Sequence, residues 1–302
     1  MARNVRQTLR YLAERFRRAG VRPKSKLGQN FLVDLNLVEL LFRTAEVGPQ
    51  DVVLEVGTGT GSLTQLLVQA ARHVVSVEID PALHRLAQEV LQGAENLTLL
   101  CQDVLKNKNQ LHPRVLQAVQ QQLAQGPGRF LLVANLPYCV ATPVVSNLLS
   151  LPRPPETMTV TIQKELADRI TAQPGSKDYG ALSVWVQCQA VARRVRTLPP
   201  SVFWPRPEVH SAMVQIRFRP ELRRRIADLE FFHHFVRQVF LHRRKHLRGV
   251  LQSQFRKQMP KSRVDQLLQE LGLPGETRAE TLSVEQFIHL ADRFHREVGL
   301  RA

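Results

Sequence analysis

A chain of 302 residues, 43% of them hydrophobic, is long enough for one large domain and a smaller second one, each with a buried core. Its formal charge of +16 points to a polyanionic partner, whereas no uninterrupted apolar run approaches the roughly 18–20 residues that a membrane-spanning helix needs, so no membrane partner is expected. Three widely separated cysteines, Cys101, Cys139 and Cys188, offer neither a disulfide framework nor metal-ligand spacing, so no metal is expected and a cytoplasmic location suits them.

The positive charge is uneven. Residues 1–26 hold nine Lys/Arg and one acidic residue, residues 215–302 hold eighteen and ten, and residues 27–214 hold fifteen of each. A neutral body between two ends of net +8 suggests an electrostatic clamp for a nucleic acid, because phosphate neutralisation with counterion release dominates such binding. A solvated arginine-rich surface is the plain alternative. Within residues 1–20, Val5, Leu9, Leu12 and Phe16 recur at helical spacing among arginines, which predicts an amphipathic basic helix ended by Gly20 and Pro23. This basic extension, residues 1–23, also has the Arg-rich, acid-poor composition of an organelle transit peptide, which ranks second. Carrying no strand signal, it is expected to be dispensable for the folded core.

From Asp51 onward, short β-branched runs alternate with amphipathic stretches, the pattern of a parallel sheet covered by helices. Strands are predicted at 51–56, 73–78, 96–101 and 129–134, with helices over 61–72, 81–93, 110–124 and 141–150. Further strands at 157–163, 182–192 and 209–218 bring the sheet to about seven. After Pro220 the strand signals stop, and helices are predicted near 221–226, 230–254, 262–271 and 283–298, separated by Pro260, Gly272, Pro274 and Gly275. The fold class is α/β: a Rossmann-like, mostly parallel sheet over residues 24–218, then a smaller all-helical domain over 219–302.

Chemistry-bearing residues sit at successive strand ends. The first strand runs into Gly57-Thr58-Gly59-Thr60-Gly61, where glycines permit a tight turn and close approach of a ligand to the backbone. Ser62 stands where a dinucleotide fingerprint would have its third glycine, so that pattern is not met. Glu78, at the end of the second strand, can accept hydrogen bonds from both hydroxyls of a ribose, as it could in an adenosylmethionine or a nicotinamide site. Asp103 follows the third strand and could accept from an adenine amine. Each acid alone could be a loop residue or a helix cap; the series at consecutive strand ends argues for a nucleoside pocket.

The fourth strand ends in Asn135-Leu136-Pro137-Tyr138. The exocyclic amine of adenine is a poor nucleophile because its lone pair is delocalised into the ring, so its methylation needs positioning more than deprotonation. An Asn oxygen and a neighbouring carbonyl can accept the two amine N–H groups. Pro137 stiffens the turn, and Tyr138 can stack on a base.

Lys26-Leu27-Gly28-Gln29-Asn30-Phe31-Leu32, Glu55-Val56-Gly57, Glu78-Ile79-Asp80, Gln102-Asp103 and Asn135-Leu136-Pro137-Tyr138 resemble, in order, the successive motifs of the KsgA/RsmA family of small-subunit rRNA adenine dimethyltransferases. Gln163-Lys164-Glu165, the Ser176–Gly180 segment and Pro199 through Pro207 extend the likeness, which is strong over residues 24–218 and positional beyond. The resemblance implies a class I methyltransferase fold using S-adenosylmethionine, with Gln29, Asn30 and Leu32 helping to hold that methyl donor. Gly57 and Gly59 would lie at its methionine end, Glu78 and Ile79 on its ribose, Asp103 and Val104 on its adenine. Asn135 would touch the donor while gripping, with Leu136, Pro137 and Tyr138, the target amine, and Phe203 would stack on the flipped base.

The substrate so implied is a pair of adjacent adenines in the 3′-terminal hairpin of small-subunit rRNA, presented in an assembling 30S-type particle to a monomeric enzyme. Two departures stand out: Thr58 where the family more often has Pro, and His210 where an acidic residue is common. The rival readings are an adenine dimethyltransferase of large-subunit rRNA, whose members tend to have Ile in place of Leu136, and a non-catalytic ribosome-assembly or transcription factor on the same fold. A nicotinamide-dependent oxidoreductase comes last.

Overall fold

The computed structural model describes Glu14, Phe16, Arg17, Gly20, residues 23–243 and residues 245–299. Val5, Leu9 and Leu12, with most of the predicted N-terminal helix, lie outside the described residues. The chain divides into two compact units, one of residues 1–167 with 193–218, the other of residues 168–192 with 219–302. Residues 168–192, expected within the α/β domain, therefore cluster with the C-terminal helices.

The first unit is built on seven strands: β1 (Val52–Val56), β2 (His73–Glu78), β3 (Leu97–Cys101), β4 (Phe130–Asn135), β5 (Thr157–Gln163), β6 (Ala190–Leu198) and β7 (Ser211–Phe218). Their order is β3-β2-β1-β4-β5-β7-β6. Neighbours from β3 to β5 are parallel, and β7 runs antiparallel to β5. The mostly parallel, seven-stranded sheet read from the sequence is therefore observed. β1 is buried along its whole length, as a strand covered on both faces must be. Chain order reverses between β1 and β4, and in open α/β sheets ligands bind at the carboxyl ends of strands at such a switch point. The turn after β1 and the Asn135 turn after β4 meet there.

Three predicted elements differ. The strand expected at 182–192 is a helix, Ala181–Gln187, followed by β6. Val184, Trp185 and Val186 are all buried, and a short buried apolar run suits a helix as well as a covered strand. The Ser183 hydroxyl accepts from the Gly180 N–H and donates to the Arg169 carbonyl, while Gln187 Nε2 donates to the carbonyls of Ile170 and Ala172. These tertiary bonds override β propensity. The helix expected over 110–124 begins only at Pro113, after a small hairpin pairing Leu105–Asn107 with Gln110–Leu111. The helix expected over 230–254 is two, Leu229–Leu241 and Leu247–Gln254. Between them His246 bridges to Arg278, and Leu247 N–H donates to the Thr277 carbonyl, which ends helical pairing.

The second unit has an aromatic core in which Phe235, Phe255 and Phe294 pack mutually at 4.9–6.1 Å. His233 stacks on Trp185 at 4.0 Å, and burial pushes its pKa down to about 4. Of the basic cluster near residue 245, Arg243 pairs with Glu280 and Arg248 with Asp265, Lys245 is exposed, and Arg244 lies outside the described residues. Two of the cations counted toward a clamp are thus already balanced.

Phe16 overturns the expectation that the N-terminal extension is dispensable. It is 1% exposed and packs edge-on against Phe31 at 5.0 Å and against Trp204 at 5.2 Å, in a cluster with Leu83 and Leu86. A buried phenyl truncated to methyl leaves a cavity, so Phe16→Ala is expected to lower stability by about 3 kcal/mol. Urea unfolding monitored by far-UV circular dichroism checks this, and an unchanged midpoint would show that Phe16 contributes no core packing.

Candidate functional site

The turn after β1 has positive φ at Gly57 (85°) and Gly59 (55°), a backbone that side chains resist. Space is as decisive as conformation. A Cβ on Gly57 would stand 3.2 Å from the Pro137 ring, and one on Gly59 would stand 3.2 Å from the Phe31 ring. The turn is thus wedged between the end of β4 and the segment before Leu32. Gly28 does the same from that segment, where a Cβ would meet the Tyr138 N at 3.1 Å.

Around these contacts lies a cavity of about 220 Å³ lined by Gln29, Asn30, Gly57, Gly59, Glu78, Ile79, Asp103, Val104, Asn135 and Pro137. Ten residues expected at the site are therefore brought together. Leu32 lines a smaller adjoining recess with Phe31, Thr60 and Asn135. Leu136 is buried and anchors the turn by donating its N–H to the Thr161 carbonyl at 3.1 Å. Tyr138, half-buried, shares a hydrogen bond with the Ser211 hydroxyl, and burial raises its pKa.

Phe203 departs from expectation. It is 2% exposed, paired with Leu32 in a two-strand ladder and packed in the hydrophobic core with Met213 and Leu198, so its ring has no free face for a base. Tyr138 remains as the aromatic candidate.

Glu78 is buried, which raises its pKa, and each carboxylate oxygen accepts one backbone N–H, from Gly59 and from Asp80, both at 2.9 Å. Each oxygen keeps a second lone pair for a ligand hydroxyl. Asp103 accepts the Leu105 N–H at 2.8 Å and is otherwise exposed at the cavity rim.

Residues given no role of their own in the sequence reading support this end of the sheet. Asp80 takes Lys24 Nζ at 2.8 Å and Gln29 Nε2 at 3.3 Å, while Gln29 Oε1 accepts the Lys24 N–H, which fastens residues 24–29 to the end of β2. Gln102, Phe31 and Cys139 also line the cavity.

Two polar atoms there are buried without a hydrogen-bond partner, Asn135 Oδ1 and Gln102 Nε2. An orphaned buried polar atom costs about 1–3 kcal/mol, which a ligand can return. The orientation of Asn135 follows from its other end, since Nδ2 donates to the Asn30 carbonyl at 2.9 Å and so leaves the oxygen facing the cavity as an acceptor. Among the described residues, no group of His, Cys, Asp and Glu could hold a metal ion, and no helix is long and apolar enough to cross a membrane.

The model of the ribosomal RNA adenine dimethylase family matches residues 20–296. Among similar proteins, the ribosomal RNA small subunit methyltransferase A of Lachnoclostridium phytofermentans is 38% identical over 270 residues, covering 89% of this chain and 90% of that one. Its counterpart in Lactiplantibacillus plantarum is 39% identical over 279 residues, covering 92% of each. Among solved structures, a dimethyladenosine transferase from Plasmodium falciparum superposes with a TM-score of 0.72 at 22% identity, covering 87% of this chain and 97% of that one, a likeness of fold. The 23S rRNA methyltransferase ErmE superposes with a TM-score of 0.63 at 29% identity, covering 88% and 99%. With the family model spanning both units and relatives matching along nine-tenths of their length, the chain belongs to the ribosomal RNA adenine dimethylase family.

Proposed function

We propose that this chain transfers methyl groups from S-adenosylmethionine to the exocyclic amine of adenine in small-subunit ribosomal RNA. The observation that carries this reading is the unpartnered, buried Oδ1 of Asn135, an acceptor held in place at the carboxyl end of β4. It suits an amine N–H. The residues around it fit the methyl donor: Glu78 offers acceptors for ribose hydroxyls, Asp103 an acceptor for an adenine amine, and Gln102 Nε2 a donor for an acceptor on the adenosyl group. When bound, S-adenosylmethionine supplies a sulfonium methyl that is already activated.

The protein's own work is alignment. Asn135 Oδ1 holds one amine N–H and a backbone carbonyl of the Leu136–Pro137 turn takes the other, which turns the nitrogen lone pair toward the donor. The Tyr138 ring, tethered through its hydroxyl to Ser211, offers a face to a base drawn out of its stack. The nitrogen loses its proton after transfer, so no strong base is required. The substrate in this reading is two adjacent adenines of the 3′-terminal hairpin, met in an assembling 30S-type particle by a monomeric, cytoplasmic enzyme, with the exposed cations of the helical unit touching RNA phosphates.

Relatives named for the small subunit favour that subunit over the large one, which one solved neighbour is named for. A non-catalytic factor would have no use for an acceptor buried without a partner. The test is transfer of labelled methyl to undermethylated small subunits, followed by nucleoside mass analysis; dimethyladenosine is the expected product, and its absence would overturn the reading. In the same assay system, Glu78→Ala is expected to weaken S-adenosylmethionine binding by about 1–3 kcal/mol in calorimetry while leaving RNA affinity intact.

A further inference from the structure

The charge count by segment conceals a local excess at the far end of the sheet, where Arg193 of the neutral segment meets Arg217 of the basic one. Arg193, exposed on edge strand β6, donates from Nε and Nη2 to Gln215 Oε1 at 3.1 and 3.0 Å. Arg217 Nε donates to the same oxygen at 3.1 Å. Gln215 itself is 1% exposed, and its Nε2 is committed to the Thr44 carbonyl at the end of helix Leu35–Ala45. An amide oxygen has two lone pairs, so three N–H groups oversubscribe it. The two guanidiniums converge on one neutral atom, their Nε atoms no more than about 6 Å apart. Among the described residues, the carboxylate bonded to this pair is that of Glu46, on Arg217 Nη2 at 3.1 Å. It balances one cation of two.

An exposed arginine usually sweeps through many rotamers. Here a buried amide pins Arg193 beside a second cation, so its remaining N–H groups face solvent in a fixed fork. That is the arrangement suited to bidentate recognition of a phosphate, with the ordering entropy already spent.

We infer that Arg193 and Arg217 form an anion site that takes a phosphodiester of the RNA backbone, separate from the methyl-transfer cavity. Arg217 lies six residue steps along β7 from Ser211, the residue bonded to Tyr138, which amounts to about 20 Å of extended strand. RNA held at the Arg193–Arg217 pair is therefore not the nucleotide being modified but a part of the folded rRNA beyond it. The inference rests on the reading of this chain as an rRNA methyltransferase.

The experiment compares wild type with Arg193→Glu, which can pair with Arg217 and so spare the fold, and with Arg193→Gln, which removes the charge alone. Binding is measured against salt concentration for protein-free small-subunit rRNA, for the assembled particle and for a short hairpin carrying the target adenines. Wild-type binding to rRNA tests the functional reading first, and its absence would overturn that reading and this site together. Given wild-type binding, both variants should lose about tenfold in affinity for rRNA and particle and about one unit in the slope of log affinity against log salt. Hairpin binding and S-adenosylmethionine affinity should stay unchanged. An rRNA affinity and salt slope equal to wild type in both variants would overturn the inference. So would a loss confined to the assembled particle, which would mean that the pair meets a ribosomal protein.

Discussion

Asn135→Ala is expected to cut methyl transfer by about a hundredfold or more at saturating S-adenosylmethionine and RNA, while the affinity for S-adenosylmethionine changes much less. The reason lies in how the side chain is held. Nδ2 is engaged by the Asn30 carbonyl, so Oδ1 is aimed without freedom to rotate, and it has no partner until an amine arrives. Removing it takes away an interaction that strengthens as the amine nitrogen approaches tetrahedral geometry and its N–H groups gain positive charge, which lowers turnover more than binding. Asn135→Asp separates aim from acceptance: it keeps an acceptor but loses the donor to Asn30 and sets a carboxylate against that carbonyl. Its rate should fall between the two. Single-turnover methylation with a quench-flow readout distinguishes these outcomes, and near-normal turnover of the alanine variant would remove Asn135 from the chemistry.

The parts of this site that are legible in the sequence are those whose residue type and strand position both follow from local pattern. β1 and β2 are short β-branched runs and β4 a short apolar one, and Gly57, Glu78 and Asn135 are the residues at or just past their carboxyl ends, so a parallel sheet brings them to one edge. What stayed hidden depends on partners distant in sequence. Lys24 and Asp80 are separated by more than fifty residues and meet only because the segment before Leu32 crosses the end of β2. Phe16 reads as one apolar position in a basic stretch until Phe31 and Trp204 are seen to enclose it.

Two expectations fail for different reasons. Val184, Trp185 and Val186 suggest a strand because buried strands and buried helices share short apolar runs, and the bonds from Ser183 and Gln187 to the carbonyls of Arg169, Ile170 and Ala172 are what hold the stretch as a helix. The stacking role of Phe203 comes from the family resemblance and not from its residue type, and burial makes it core.

Glu55 is invisible as a titrating group in the sequence, and its ionisation should govern how stability varies with pH. It lies wholly buried beneath the Gly57 turn, and burial raises its pKa to about 8, assisted by the charge of Glu78 and opposed by hydroxyl hydrogen bonds from Ser76 and Thr64. Both hydroxyls donate to Oε2, at 2.6 and 2.7 Å, and the Ser76 hydroxyl is linked at 2.6 Å to that of Thr58. A chain of buried hydrogen bonds ending on a neutral carboxyl thus holds the turn at Thr58.

Between the ordinary carboxyl value of 4.5 and about 8, the unfolded chain has released this proton while the folded chain retains it. The folded state binds more protons, so stability should fall as pH rises through that window and level off above it. Glu55→Gln keeps an oxygen to accept from Ser76 and Thr64 but removes the titration. Near pH 5 the variant should match wild type, and at pH 8.5 it should be more stable by a few kcal/mol, since a tenfold difference in proton affinity between the folded and unfolded chains corresponds to about 1.4 kcal/mol. Urea titrations at the two pH values give the comparison, and parallel stability profiles would mean that Glu55 ionises in the folded protein as readily as in water. If the profiles diverge as expected, then the turn proposed to cradle the methyl donor rests on a carboxyl kept uncharged, and raising the pH should loosen Gly57 and Gly59 in wild type more than in the glutamine variant.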